Sequence, residues 1–558
     1  MKSLKNNKSK GFFSNLKMPH AFTMLFFIIV FVGILSLIMS YADVTFVQDG
    51  TTKSIIGAGI LDWIQAIPAG FISAIWVILF LFVLGGFINV VIKTQSLEAL
   101  IGKVATKFHS DYKIIPKDLL KTSPLSYYWN VFKEGFRQTW IVFPIMLFFS
   151  FAGTTYGMAE ESLAFYAIII PLALAAGFDV YTGFLIIFAG AGVGVMGSTI
   201  NPFSILAAVD ASNPEAGSKI VTSVDGAAWR WIGWFVFTMA TIIFVMWYAA
   251  RVKKDKNNSA LKDLFEVHEK TFRAASTGLI APVLTRKRMV TCFLFLFTFV
   301  FMVFAMLNYD SMSSSLKEKQ PMSTFEKDTF YNKDSSTWFH NQAITDKYDS
   351  AEYFGDYNFD LIFGNWYFGA LIAYFFIASL VIAVINWKSE KNYITDMVDG
   401  AKDMMGVAFA VGIARAISVL LTVTNMKDYF VIHLSDTIAN SKGNKNITVP
   451  LLSYVLFIPL TFLIPSTSGL ANAAFPILAP AVNSSAPQAL SGTITAYGWG
   501  AGLANMVVPT YGVVIGALAL TKIPYGKFLK AIWKYLLMMF ILGFVMIILG
   551  GAIGSSVF

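Results

Sequence analysis

Two short stretches of this chain set hydroxyl groups, a glycine and a polar residue in the same order. One is Thr154-Thr155-Tyr156-Gly157-Met158-Ala159-Glu160, and the other is Ser466-Thr467-Ser468-Gly469-Leu470-Ala471-Asn472. Each lies between paired apolar segments, Thr139–Gly153 with Ser162–Gly177 and Thr448–Leu463 with Leu470–Val482. These segments fall short of the roughly 20 residues that a membrane-crossing helix needs. Each pair therefore reads as a hairpin that turns back inside the bilayer. Backbone groups at such a tip are tolerable only where they face protein, water or a ligand. The first amides of a returning helix also form a positive dipole end suited to a carboxylate.

A glycine-rich helix with a polar interruption follows each hairpin. The first reads G-A-G-V-G-V-M-G-S-T-I-N-P, with Ser198, Thr199, Asn201 and Pro202 at the break. The second reads G-W-G-A-G-L-A-N-M-V-V-P-T, with Asn505, Pro509 and Thr510. Proline removes a helical hydrogen bond, and Asn, Ser and Thr can satisfy the backbone so exposed. Frequent glycines let a neighbouring helix approach closely. The candidate binding groups are thus Thr154, Thr155, Gly157, Glu160, Ser198, Thr199, Asn201, Ser466, Thr467, Ser468, Gly469, Asn472, Asn505 and Thr510. Two blander readings stand beside this one. The first pair could be two ordinary spans, and the glycine helices could be packing seams with a proline kink. The repetition of hairpin plus broken helix favours the functional reading.

Glu160, Glu161 and Arg415 are the only charged residues deep in these predicted apolar elements. A charge near the bilayer centre costs about 3 kcal/mol or more and so usually faces a cavity. Glu160 is expected to contact a substrate amine or coupling cation, and Glu161 to cap the returning arm. For Arg415 two roles stay open: receptor for a substrate carboxylate, or counter-charge to a hairpin acid. Arg230, beside Trp229, Trp231 and Trp234, reads as an interfacial anchor.

The elements that must position these groups are apolar. Hydrophobic residues make up 56% of the 558 and charged ones 13%, with a mean hydropathy of +0.64. Soluble chains carry roughly 25% charged residues, so this is a polytopic, all-α membrane protein. The net charge of +9 sits in a few loops, where it orients the chain and calls for no nucleic-acid partner. A single cysteine, Cys292, and five scattered histidines leave no disulfide framework and no metal site. With no paired nucleophile and base, the chain reads as a non-enzyme.

Full spans are predicted at Ala21–Tyr41, Ile67–Ile92, Tyr181–Ala208, Trp231–Ala250, Val290–Leu307, Ile362–Trp387, Met404–Thr424, Ile494–Leu520 and Ile532–Ile553. The N-terminal run is twice the length of a signal-peptide core, so it is read as the first span. Residues 93–137 hold eight Lys/Arg against four acids, and residues 251–288 ten against four. These loops and the basic turn at Lys522, Lys527 and Lys530 are assigned to the cytoplasm; residues 42–62 and 308–360, acidic on balance, are assigned outside. The N-terminus is then cytoplasmic and the C-terminus extracellular, in a multi-pass plasma-membrane protein. The two hairpin units enter from opposite sides, as inverted repeats that support alternating access do.

Read as domains, residues 1–137 are N-terminal scaffold helices with an amphipathic arm, and 138–228 the first hairpin and broken helix. Residues 229–403 are scaffold helices with an external insertion at 308–360, and 404–448 a linking span and external loop. Residues 449–521 are the second hairpin and broken helix, and 522–558 the C-terminal span.

At these residues the chain resembles the YfcC-type transporters, grouped with the anaerobic four-carbon dicarboxylate carriers in the larger ion transporter superfamily. The shared features run in order: K-M-P-H-A-F at Lys17–Phe22, G-M-A-E-E-S at Gly157–Ser162, and G-A-G-V-G ahead of Asn201-Pro202-Phe203. Then come G-I-A-R-A-I around Arg415, I-P-S-T-S-G at Ile464–Gly469 and K-I-P-Y-G-K at Lys522–Lys527. The chain departs from the family in the long 308–360 insertion and the longer 93–137 region. The resemblance implies an elevator-type fold: a scaffold and a mobile domain of two hairpins and two broken helices. On substrate it is divided, because the family label says dicarboxylate while similar proteins look like arginine/ornithine exchangers. A dicarboxylate would be repelled by Glu160, whereas an amino acid wants one acid and one carboxylate receptor. The expectation is therefore a secondary active transporter of a small amino acid by alternating access, with a basic one in arginine/ornithine-like exchange included; a cation-coupled carrier of a four-carbon dicarboxylate or other organic acid and a passive channel or facilitator are the alternatives. No cofactor is required; Na+ and H+ are both open as coupling ion, and a homodimer through the scaffold is open as an assembly.

Overall fold

The computed structural model describes residues 21–48, 50–100, 123–213, 220–268, 282–306 and 368–554, together with residues 103, 113, 115, 272, 366 and 558. The 308–360 insertion, most of the segment before α4 and the Lys17–His20 part of the first shared motif lie outside the described residues.

The chain is helical almost throughout. It begins with α1 (Ala21–Tyr41), a small β-hairpin of β1 (Thr45–Gln48) and β2 (Thr51–Ser54), α2 (Ile60–Ser73) and α3 (Ile75–Lys93). The strands pair antiparallel, Thr45 opposite Ser54 and Gln48 opposite Thr51. Next come α4 (Pro124–Thr139), α5 (Val142–Tyr156), a tight turn of helix at Glu160–Phe165, α6 (Tyr166–Ala175) and α7 (Val180–Met196). A widened helical turn at Pro202–Leu206 leads into α8 (Ala207–Ser212), followed by α9 (Ala227–Lys254), α10 (Arg286–Met306) and α11 (Phe368–Ile385). The remainder is α12 (Glu390–Val423), α13 (Met426–Ala439), α14 (Lys445–Leu463), α15 (Thr467–Ser485), α16 (Leu490–Asn505), α17 (Gly512–Thr521) and α18 (Tyr525–Ile553).

Among the described residues seven helices are long and apolar enough to cross a membrane: α1, α3, α9, α11, α12, α14 and α18. Many large apolar side chains on the helices are exposed, Phe27, Phe31, Phe293 and Ile541 among them. Water would not tolerate that surface, and lipid does.

Packing separates two groups of helices. Helix α12 lies along α2 and α3, with α1 and α11 against the same group. The second group joins α5, α6 and α9 to α7, α16 to α7 and α14, and α18 to α14 and α16. Helix α15 packs on α8 and α13 around a separate apolar core that includes Phe457, Phe475 and Tyr497.

Several sequence expectations are corrected here. The span expected at Ile67–Ile92 is two helices meeting at Ala74. The region between Thr424 and Thr448, expected to be a loop, contains α13; the mixed polarity of its sequence concealed it. The second hairpin's arms are 19 residues each, not 16 and 13. At about 1.5 Å per residue each measures near 28 Å. Helix α9, which holds the span expected at Trp231–Ala250, packs on α5, α7 and α18.

Candidate functional site

The first hairpin turns at Gly157, whose φ of +81° is a left-handed value that favours glycine. A Cβ there would also lie 2.6 Å from Asn201 Oδ1 and 2.9 Å from Phe203. The turn is therefore shaped against the break between α7 and α8. Thr154 Oγ1 donates to the Gly197 carbonyl (2.7 Å), and the Thr199 amide donates to the Thr154 carbonyl (3.1 Å). Asn201 donates to Ser198 Oγ (2.9 Å) and accepts the Phe203 amide (2.9 Å), capping the helix after the break. Thr155 and Ser198 bond back to their own helices, at Phe151 and Val195. A helix end buried in the membrane must have its backbone groups met in this way.

Arg230, expected at the interface, is 1% exposed. It donates to the carbonyls of Thr199 (3.2 Å), Asp225 (2.8 Å) and Ser223. A guanidinium offers five donors, enough to satisfy several orphan carbonyls at once. It braces the first break from behind, and the expectation of a surface anchor is corrected. The sequence hint was a cation at the start of a span, in reach of a half-helix's negative end.

The second hairpin repeats the plan with different groups. Ser466 caps α15, its Oγ accepting the Gly469 amide (3.2 Å). Tyr497 donates to the Thr467 carbonyl (2.6 Å), and Asn505 Nδ2 donates to Thr467 Oγ1 (3.1 Å). At the break after α16, Tyr525 donates to the Val507 carbonyl (2.6 Å), and Thr510 donates to the Phe462 carbonyl (3.4 Å). Each tip is thus bonded to the interruption of the helix that follows it.

Glycine makes both approaches possible. A Cβ on Gly153 would sit 2.5 Å from the Ala191 carbonyl of α7, and one on Gly500 would sit 2.5 Å from the Tyr454 carbonyl of α14.

Both tips open on one cavity of about 100 Å³. The first contributes Gly157, Ala159, Glu160 and Glu161, the second Pro465, Ser466, Thr467 and Ser468. Asn201 and Phe203 line it from the first break, and Thr510, Tyr511 and Gly512 from the second. The opposite wall is Val77 of α3, Phe368 and Leu371 of α11, and Val411 and Arg415 of α12. The cavity therefore lies between the two groups of helices.

Of the residues singled out in the sequence, Gly157, Glu160, Asn201, Ser466, Thr467, Ser468, Thr510 and Arg415 line this space. Thr154, Thr199 and Asn505 stand behind it in the tip-to-break bonds just described, and Thr155 and Ser198 stand behind it bonded to their own helices. Gly469 is the third residue of α15, and Asn472 is exposed, outside the lining. Tyr511 escaped the sequence reading; a lone tyrosine among many aromatics carried no signal.

Glu160 and Arg415 are partly buried and share the cavity, yet among the described residues no ion pair joins them. Glu161 is 5% exposed and takes the Ala159 amide at 3.1 Å, a capping bond within the turn. An acid and a guanidinium are left facing one partly open space. No group of His, Cys, Asp and Glu able to hold a metal occurs among the described residues.

Apolar spans around a space that faces an acid and a guanidinium fit a membrane transport protein. The chain belongs to the C4-dicarboxylate anaerobic carrier family, whose family model, DcuC, matches residues 131–551. It is 25% identical over 492 residues to an uncharacterized protein of Haemophilus influenzae, covering 88% of this chain and 78% of that one. It is also 23% identical over 493 residues to an Escherichia coli (strain K12) protein provisionally named a basic amino acid antiporter, YfcC, covering 85% and 77%. Among solved structures it is similar to the YdaH transporter of Alcanivorax borkumensis, with a TM-score of 0.41 at 13% identity over 96% of this chain and 98% of that one. It is similar also to MtrF of Neisseria gonorrhoeae, described within a class of antimetabolite efflux pumps, with a TM-score of 0.40 at 12% identity over 95% of each. Overlap at that level assigns no role to any residue here. The family and the YfcC relative point to transport rather than catalysis.

Proposed function

We propose that this chain is a secondary transporter of a small zwitterionic amino acid, with a basic side chain favoured. The observation that carries the reading is the pair of charges, Glu160 and Arg415, facing one cavity without pairing. An α-amino acid presents one ammonium and one carboxylate, so it meets both without leaving either charge uncompensated. The carboxylate is taken by Arg415 and the first amides of α15, whose N-terminus is at Ser466–Ser468. The ammonium is taken by Glu160. The name carried by YfcC agrees with a basic amino acid.

Movement follows from where the cavity lies. The hairpins and broken helices carry one wall and α3, α11 and α12 the other, so a shift between the groups would open the space to one side or the other. We place the two hairpin units as inverted repeats of an alternating-access carrier. The family description favours a second reading, in which Arg415 and the α15 N-terminus hold the two carboxylates of a four-carbon diacid. Glu160 then has to be neutral.

Counterflow in proteoliposomes separates these readings. Preloaded arginine, ornithine or a neutral amino acid should accelerate uptake of the labelled compound, and succinate or fumarate should not. Acceleration by diacids alone would replace the amino acid reading. Unsaturable uptake without trans-stimulation would mean a channel.

A further inference from the structure

Helix α4 is inside out by the standards of a water-soluble protein. Glu134, Gln138 and Thr139 are buried, whereas Leu125, Tyr128, Trp129, Phe132 and Phe136 are exposed. Each of the exposed five lies three or four residues from another of them, so they form one stripe along the helix. Trp129 stacks on Phe132 and Phe132 on Phe136, with ring centroids 5.8 and 6.5 Å apart. On the buried side, Glu134 accepts from Arg137 Nε (2.9 Å), Arg137 Nη2 (2.7 Å) and Gln138 Nε2 (2.9 Å).

The surroundings of this helix are basic. Gly135 faces Ala250 of α9, and that end of α9 carries Arg251 and Lys254, both exposed. Lys133 and Arg137 are exposed on α4 itself. At its C-terminal end the chain bends by 65° into the apolar α5.

These two kinds of surface exclude both bulk phases. Water disfavours a continuous aromatic stripe, and hydrocarbon disfavours exposed lysine and arginine. The boundary between headgroups and acyl chains accepts both, and basic side chains there attract anionic lipids. Tryptophan and tyrosine are enriched at that depth for the same reason.

We propose that α4 is a lipid-binding helix of the membrane interface. Its aromatic stripe lies at the headgroup–acyl boundary of an anionic leaflet, and Lys133, Arg251 and Lys254 take lipid phosphates. Only Trp140 and Ile141 separate it from α5, so the lipid contact sets the depth at which the first hairpin enters the membrane. This proposal stands apart from the choice of transported solute.

The test uses the full chain with Cys292→Ser and one reporter cysteine, Phe132→Cys or Phe136→Cys, carrying a bimane fluorophore. The protein is placed in nanodiscs of phosphatidylcholine and phosphatidylglycerol, with a doxyl quencher near the headgroup or near the chain end. Quenching should be about twofold stronger from the shallow label than from the deep one at both positions, as expected of a helix at the boundary. Shallow quenching should also be stronger from labelled phosphatidylglycerol than from labelled phosphatidylcholine. That preference should fall to parity in Lys133→Gln/Arg251→Gln/Lys254→Gln. Stronger deep quenching would overturn the proposal, as would quenching only by a water-soluble agent. Cross-linking of the Phe132→Cys variant between two copies, without lipid quenching, would assign the stripe to a dimer instead. Parity between the two lipids in the starting protein would overturn the anionic preference.

Discussion

Where the first hairpin turns, the chain uses a left-handed glycine, a tight helical turn and two carboxylates, Glu160 and Glu161. Where the second turns, it uses a proline, three hydroxyl residues and the capped end of a 19-residue helix. Both tips are bonded to the helix break that follows and both reach one cavity. What differs is the charge they bring. The first supplies negative charge on side chains, and the second supplies positive potential from backbone amides. The two tips thus bring unlike groups to one space, which is what the proposed zwitterionic cargo would need. The braces differ too: a buried guanidinium, Arg230, behind the first break, and a tyrosine hydroxyl, Tyr525, behind the second.

The largest expected effect is at the charge itself. Glu160→Gln should abolish counterflow, about 100-fold or more, while the protein stays monodisperse on gel filtration; loss of one charge-assisted contact to a desolvated ligand is of that order. Asn472→Ala, at the corresponding place in the second stretch, should change uptake by less than about twofold, as exposed positions generally do. Equal losses from the two would restore a symmetric site and contradict the difference drawn above.

Next in size are the braces. Arg230→Met leaves buried carbonyls unmet, at about 1–3 kcal/mol for each, and should cost most of the folded yield, with Arg230→Lys recovering part of it. Tyr525→Phe removes a single hydrogen bond, about 1 kcal/mol, and should lower the melting midpoint only slightly. Comparable thermal losses would show that the breaks are braced alike.

The smallest contrast is in the turns. Gly157→Ala costs about 1–2 kcal/mol for its left-handed backbone and also crowds Asn201 and Phe203, so uptake should fall by about tenfold. Gly469 has no positive φ, and a Cβ there would meet only the Ser466 side chain, at 2.9 Å. Uptake by Gly469→Ala should fall by less than half as much on a logarithmic scale, measured in the same liposomes.

Much of this site is legible in the residues because membrane burial makes polar groups rare. Gly157, Glu160, Asn201, Ser466 and Arg415 stand out against apolar surroundings, and the paired Asn and Pro residues mark both breaks. Other features depend on three-dimensional neighbours. Asn472 matches Glu160 in the written order, but Glu160 opens a tight turn while Asn472 is the sixth residue of a regular helix. The same offset therefore points the side chains differently. Arg230 looks like a surface anchor until Thr199, 31 positions earlier in the chain, is placed against it. Helix α13 hides because Lys427, Asp428, His433 and Asp436 break its apolar pattern. Polar patterning alone reads as loop, and packing against α12, α14 and above all α15 supports it as a helix.

Simultaneous protection of both tips by one solute tests the central claim most directly. With Cys292→Ser as background, Ala159→Cys and Ser468→Cys each place a thiol in the cavity lining, and the rate of labelling by a small maleimide is followed as amino acid is added. Both rates should fall with the same half-protecting concentration, since one molecule shields both positions. Protection at one position alone, or at two unrelated concentrations, would contradict a single cargo held between the hairpins.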